Sequence, residues 1–148
     1  MPHFGLMDAD SMAPEDAELL RARLHLRAAR RRFLQGKVSS GVSVLFDAFM
    51  SSLRWYVLSP GRLVSLKVEP GTDINDERNI FEALVRSRVL DGKLSFDYFN
   101  QLTEDAVNKK LCNFDYTRVL RDVEDAMTVL GVMPFDEREL PQERQDAA

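Results

Sequence analysis

Cysteine and histidine are nearly missing from this 148-residue chain: Cys112 is the one cysteine, and His3 and His25 are the two histidines. One thiol makes no intramolecular disulfide and no multi-cysteine metal site. Two histidines make no histidine-based zinc site unless carboxylates complete it. No metal and no cofactor are expected on that basis. Long apolar runs are missing too. The longest, Val38 to Leu58, is interrupted by Ser39, Ser40, Ser43, Asp47, Ser51, Ser52 and Arg54. A bilayer span needs about 20 mostly apolar residues, so this stretch reads as a helix buried in protein, with no membrane partner. Residues 1–14 carry no basic segment followed by an apolar one, so no secretory signal is read there. With the lone cysteine, this gives an expectation of a reducing cytoplasm.

Catalytic motifs are also missing. No glycine pattern precedes a Lys-Ser/Thr pair, and there is neither His-Glu-x-x-His nor Gly-x-Ser-x-Gly. The pairs Glu104-Asp105 and Glu124-Asp125 are adjacent, so on a helix they point apart and cannot share one task.

What is present is globular in balance, with 45% hydrophobic and 30% charged residues. One domain over residues 1–148 is expected, with flexible termini at about 1–13 and 135–148. The periodicity is helical. Leu19, Ala22, Leu26, Ala29 and Phe33 form one stripe between Pro14 and Gln35, with Gly36 as the stop. Val42, Leu45, Phe49, Leu53 and Tyr56 form another between Ser39 and Leu58, widened by Phe46, Met50 and Val57, which suits a central helix. Residues 61–75 read as a loop packed over the bundle, with a small-ligand site beneath it as one idea. A third helix is expected from Asn75 to Leu90. Leu94 to Leu111 carries both strand-like and helix-like spacing and is taken as helix, whole or broken near Thr103. The last helix is expected from Asp115 to Leu130, closed by Gly131 and Pro134. The fold class is therefore all-α, an up-down antiparallel bundle of four to five helices.

The most distinctive surface feature is basic. Arg21, Arg23, Arg27, Arg30, Arg31, Arg32 and Lys37 fall in one stretch without an acid. Arg23, Arg27, Arg30 and Arg31 share one side of the first helix. Such a face attracts phosphates, acidic proteins or anionic lipid. The plainer reading is a face answered by acids elsewhere, in the Asp8–Glu18 leader or the acidic tail. No aromatic residue is interleaved for base stacking. A second polar feature is the line Asp47, Ser51 and Arg54 on the apolar second helix, at spacings of four and three. It reads either as a pocket in which Arg54 binds an anion and Asp47 fixes it, or as a charge pair that satisfies a central helix or a dimer seam. His25 has no nucleophile or carboxylate tied to it by spacing. Cys112, near Lys109 and Lys110, and Trp55 read as structural.

The stretch AELLRARLHLRAARRRFLQGKVSSGVSVLFDAFMSSLRWYVL, residues 17–58, resembles the first helical hairpin of the HEPN family, which is related to the helical domain of kanamycin nucleotidyltransferase. The shared pattern is an Ala/Leu-rich first helix, a short turn at Gly36 and a Ser/Ala-containing second helix ending in aromatics. The resemblance implies a four- or five-helix bundle, often dimeric, acting as an RNase, a nucleotidyltransferase partner or a nucleotide-binding module. It places functional groups at Asp47 and Arg54. The Arg-x(4–6)-His motif of the RNase members is absent, because no histidine follows His25.

Two functions are carried forward. One is a non-catalytic helical-bundle binding module, a homodimer, that takes a partner protein or an anionic ligand. The other is a HEPN-type nucleic-acid-processing subunit or partner of a nucleotidyltransferase.

Overall fold

A computed structural model describes residues 11–109, 111 and 113–142. Cys112 and the outermost terminal residues lie outside that set. The described residues form six α-helices and no strand: α1 (Pro14–Leu34), α2 (Val38–Leu58), α3 (Pro60–Leu63), α4 (Glu77–Arg86), α5 (Phe96–Asn108) and α6 (Thr117–Leu130). The all-α expectation holds. No helix among the described residues is long and apolar enough to cross a membrane.

Every other helix packs on α2. The reason is in its composition, which is apolar around most of the circumference. Val42, Leu45, Ala48, Phe49 and Leu53 are fully buried. Burying side chains of this size is worth about 1.5–3 kcal/mol each, so α2 organises the core. Its neighbour α1 folds back through a turn at Gly36, whose φ of 77° suits a residue without a Cβ. The hairpin closes tightly at Gly41, where a Cβ would stand 2.5 Å from the Phe33 ring.

The phenylalanines fix the other helices. Phe49 meets Phe81 of α4 edge-on at 6.1 Å, and Phe46 meets Phe99 of α5 edge-on at 5.1 Å. Farther along, the Leu111 amide donates to Ser39 Oγ at 2.7 Å. Both α4 and α5 therefore run antiparallel to α2, one after the other along it. Counted as one broken rod, they give the up-down order. The break is earlier than the sequence suggested: α4 ends at Arg86 rather than Leu90. The amides of Val89 and Leu90 fold back onto the Leu84 carbonyl, with Arg88 in the left-handed region.

Residues 61–75 are not loop throughout. Ser59 Oγ accepts from the Arg62 amide and Pro60 opens the one-turn helix α3. Arg62 then spreads over the Trp55 ring at 3.8 Å and donates to the Trp55 and Tyr56 carbonyls, which satisfies the end of α2.

The Asp115 carboxylate accepts from the Thr117 amide at the start of α6. The helix ends at Gly131, φ 104°, with the Val132 amide bonded to the Met127 carbonyl. The turn sends the chain back across α1. Val132 is fully buried, and a short 3₁₀ turn follows at Glu137–Glu139. The described part of the acidic tail, residues 135–142, thus lies against the body of the protein.

Candidate functional site

The basic side of α1 meets this returning segment. Arg23 Nε donates to the Val132 carbonyl at 3.0 Å, and its guanidinium lies 5.3 Å from the centre of the Phe135 ring. Arg27 Nη2 donates to the Pro141 carbonyl at 2.7 Å. Arg30 forks onto Glu124 of α6, with Nε at 2.8 Å, and its Nη1 stands 3.9 Å from Glu137. Of the two readings of the arginine row, the one answered by acids elsewhere describes Arg30 by direct pairing, whereas Arg23 and Arg27 bond backbone carbonyls and meet Glu139 and Glu137 only through space. The acids come from α6 and the C-terminal segment.

The electrostatics of the face follow from crowding. Burial lowers the Arg23 and Arg27 pKa values below the ordinary arginine range, opposed by Glu139 at Arg23 and by Glu137 at Arg27. At Arg31 burial again lowers the value, and repulsion from Arg32 and Arg27 lowers it further. Positive charge packed this closely favours any anion that approaches. Between the helix and the segment lies a shallow hollow of about 500 Å³, lined by Arg27, Glu137, Arg138, Leu140 and Gln142.

The polar line on α2 resolves differently. Arg54 does not pair with Asp47 directly. Its Nε donates to Glu18 of α1 at 2.7 Å, its Nη1 to Glu77 of α4 at 2.7 Å, and its Nη2 to Ser51 Oγ at 3.1 Å. Glu18 also takes Arg21. Arg54 is thus a tie between three helices. Burial lowers its pKa, but the bonds to Glu18 and Glu77 outweigh that and hold it above the usual value. Ser51 is fully buried beneath it. Asp47 is half-buried and accepts no hydrogen bond from a described residue. Burial raises its pKa, offset in part by Arg54 and Arg32. Of the two readings of this line, Arg54 fits the charge-paired one, with Glu18 and Glu77 as its carboxylates in place of Asp47.

A cleft that the sequence pattern did not suggest, of about 530 Å³, opens beside α6. It is lined by Leu94, Tyr98, Phe114, Arg118, Val119 and Asp122 among others. Lys93 crosses it to Asp125 at 2.7 Å and Asp122 at 3.6 Å, and the bond to Asp125 raises the Lys93 pKa. Tyr98 on its rim is 54% exposed.

His25 is buried within α1 at 2% exposure. Among the described residues no group of His, Cys, Asp and Glu side chains gathers to hold a metal ion. Compared with known proteins, the chain matches no family model, no curated protein and no solved structure.

Proposed function

We propose that this protein is a non-catalytic helical-bundle binding module, that its recognition surface is the arginine face of α1, and that its ligand is an acidic segment of a partner protein. The observation that carries this reading is the peptide already lying on that face. Residues 132–141 present two backbone carbonyls, an aromatic ring and the Glu137 carboxylate to Arg23, Arg27 and Arg30. A surface that holds one acidic peptide has the chemistry to hold another. The lone cysteine supports a cytoplasmic setting. The apolar breadth of α2 suggested a homodimer. That breadth is covered within the chain by α1, α4, α5 and α6, so the homodimer, kept as part of this reading, would pair through another face.

The test compares a fluorescein-labelled glutamate decapeptide with a single-stranded RNA of matched charge, using anisotropy on the full chain. The expected result is peptide binding that Arg27→Glu with Arg31→Glu abolishes while circular dichroism stays unchanged. Preference for the RNA would overturn the acidic-protein reading in favour of the nucleic-acid role implied by the HEPN resemblance. Binding of neither would remove the arginine face as a recognition surface.

A further inference from the structure

Resting on that reading, we infer that residues 134–142 are an intramolecular competitor: the acidic C-terminal segment occupies the arginine face, and a partner's acidic segment binds by displacing it. The two ends of the segment are held differently. At its root Val132 is fully buried and its carbonyl receives Arg23, so the turn after α6 is fixed. Beyond Met133 the hold weakens. Phe135 packs partly against the core beneath the Arg23 guanidinium, Glu137 stands 3.9 Å from Arg30 with 44% of its side chain exposed, and among the described residues Pro141 takes one bond from Arg27. Exposed ion pairs and cation–π contacts of this kind are individually weak and screened by salt.

The segment's internal bonds are local. The Glu139 amide returns to the Asp136 carbonyl and the Leu140 amide to the Glu137 carbonyl, so neither bond ties the segment to α1, and a single turn lifted off its surface is left to fray. Lifting breaks carboxylate and carbonyl interactions with arginine, which an acidic ligand would remake in kind, and uncovers the packed part of Phe135, which it would not. The apparent affinity for a ligand is then reduced by the fraction of molecules in which the face is uncovered.

Glutamate decapeptide binding by full-length protein tests this. Three variants are compared with the wild type: E137Q/E139Q, which removes the segment's charge; F135A, which loosens it without changing charge; and E82Q/E104Q, which removes the same charge from exposed positions on α4 and α5. The first two are expected to bind about fivefold more tightly than wild type, as removal of a few weak interactions would allow. The third is expected to bind as wild type does. If wild type binds and both loosened variants bind no more tightly than E82Q/E104Q, the segment is not a competitor, although the arginine face stands as a binding surface. If none of the four proteins binds, the competitor and the recognition surface fall together.

Discussion

Replacing Gly41 by alanine separates two opposed effects. Gly41 lies inside α2, where alanine is intrinsically better than glycine by about 0.8–1 kcal/mol. On propensity alone, G41A should stabilise the protein. The structure reverses the sign. A Cβ at this position stands 2.5 and 2.6 Å from two carbons of the Phe33 ring, well inside contact distance. The ring is not free to swing away. Phe33 is 3% exposed and its other face stacks on Tyr116 at 4.1 Å with an interplanar angle of 4°. The α1–α2 hairpin must open or the stack must break, and overpacking of this kind costs about 1–3 kcal/mol. The net is a loss of up to about 2 kcal/mol, roughly 6 °C in melting temperature for a chain of this length. Urea melts of G41A, F33L and the double variant provide the assay. F33L should lose stability by itself but recover the benefit of alanine, so that the two changes couple favourably. A G41A protein more stable than wild type by the full alanine gain of about 0.8–1 kcal/mol would refute the close α1–α2 approach.

Two further perturbations address the charges. Removing Arg54 leaves Glu18, only 8% exposed, with Arg21 alone and takes the guanidinium from Glu77, and R54M is expected to lose about 2 kcal/mol. E18Q in the same background should recover part of that loss in a double-mutant cycle by urea melts, whereas strict additivity would show that the tie is not energetic. Asp47 has a pKa raised above its unfolded value by burial. Its favourable contribution is therefore present below the unfolded pKa and lost as pH rises through the folded one. D47N should melt higher than wild type at neutral pH, with the gap closing as the pH falls toward the ordinary carboxylate range of about 4. A gap that widens in acid would contradict this.

The parts of the fold that were legible are those in which a helix carries its own signal. The stripe Ala22, Leu26, Ala29 and Phe33 and the wide apolar band of α2 both bury as their spacing implies. Helix α3 escaped because four residues show no period. Its Ser59-Pro60 start was the only signal. The site was less legible, because charge pairing is a long-range property. Spacing offered Asp47 as the partner of Arg54, yet the true partners are Glu18 and Glu77, 36 and 23 residues away. The acidic tail looked unstructured because its composition is polar. What holds it is the buried Val132 and the arginines of α1, with Arg23 and Arg27 lying 109 and 114 residues before the carbonyls they bind. No local pattern records that.

The central claim, that an acidic ligand takes the place of the chain's own C-terminal segment on the arginine face, is tested most directly by hydrogen exchange in the unmodified protein. The Glu139 and Leu140 amides are bonded within the 3₁₀ turn, and those of Val132 and Met133 to the Met127 carbonyl. Exchange is followed across residues 131–142 with and without saturating glutamate decapeptide. The account expects faster exchange at Glu139 and Leu140 when the peptide binds, with Val132 and Met133 unchanged at the fixed root. Binding that leaves Glu139 and Leu140 as protected as before, or more so, would contradict it.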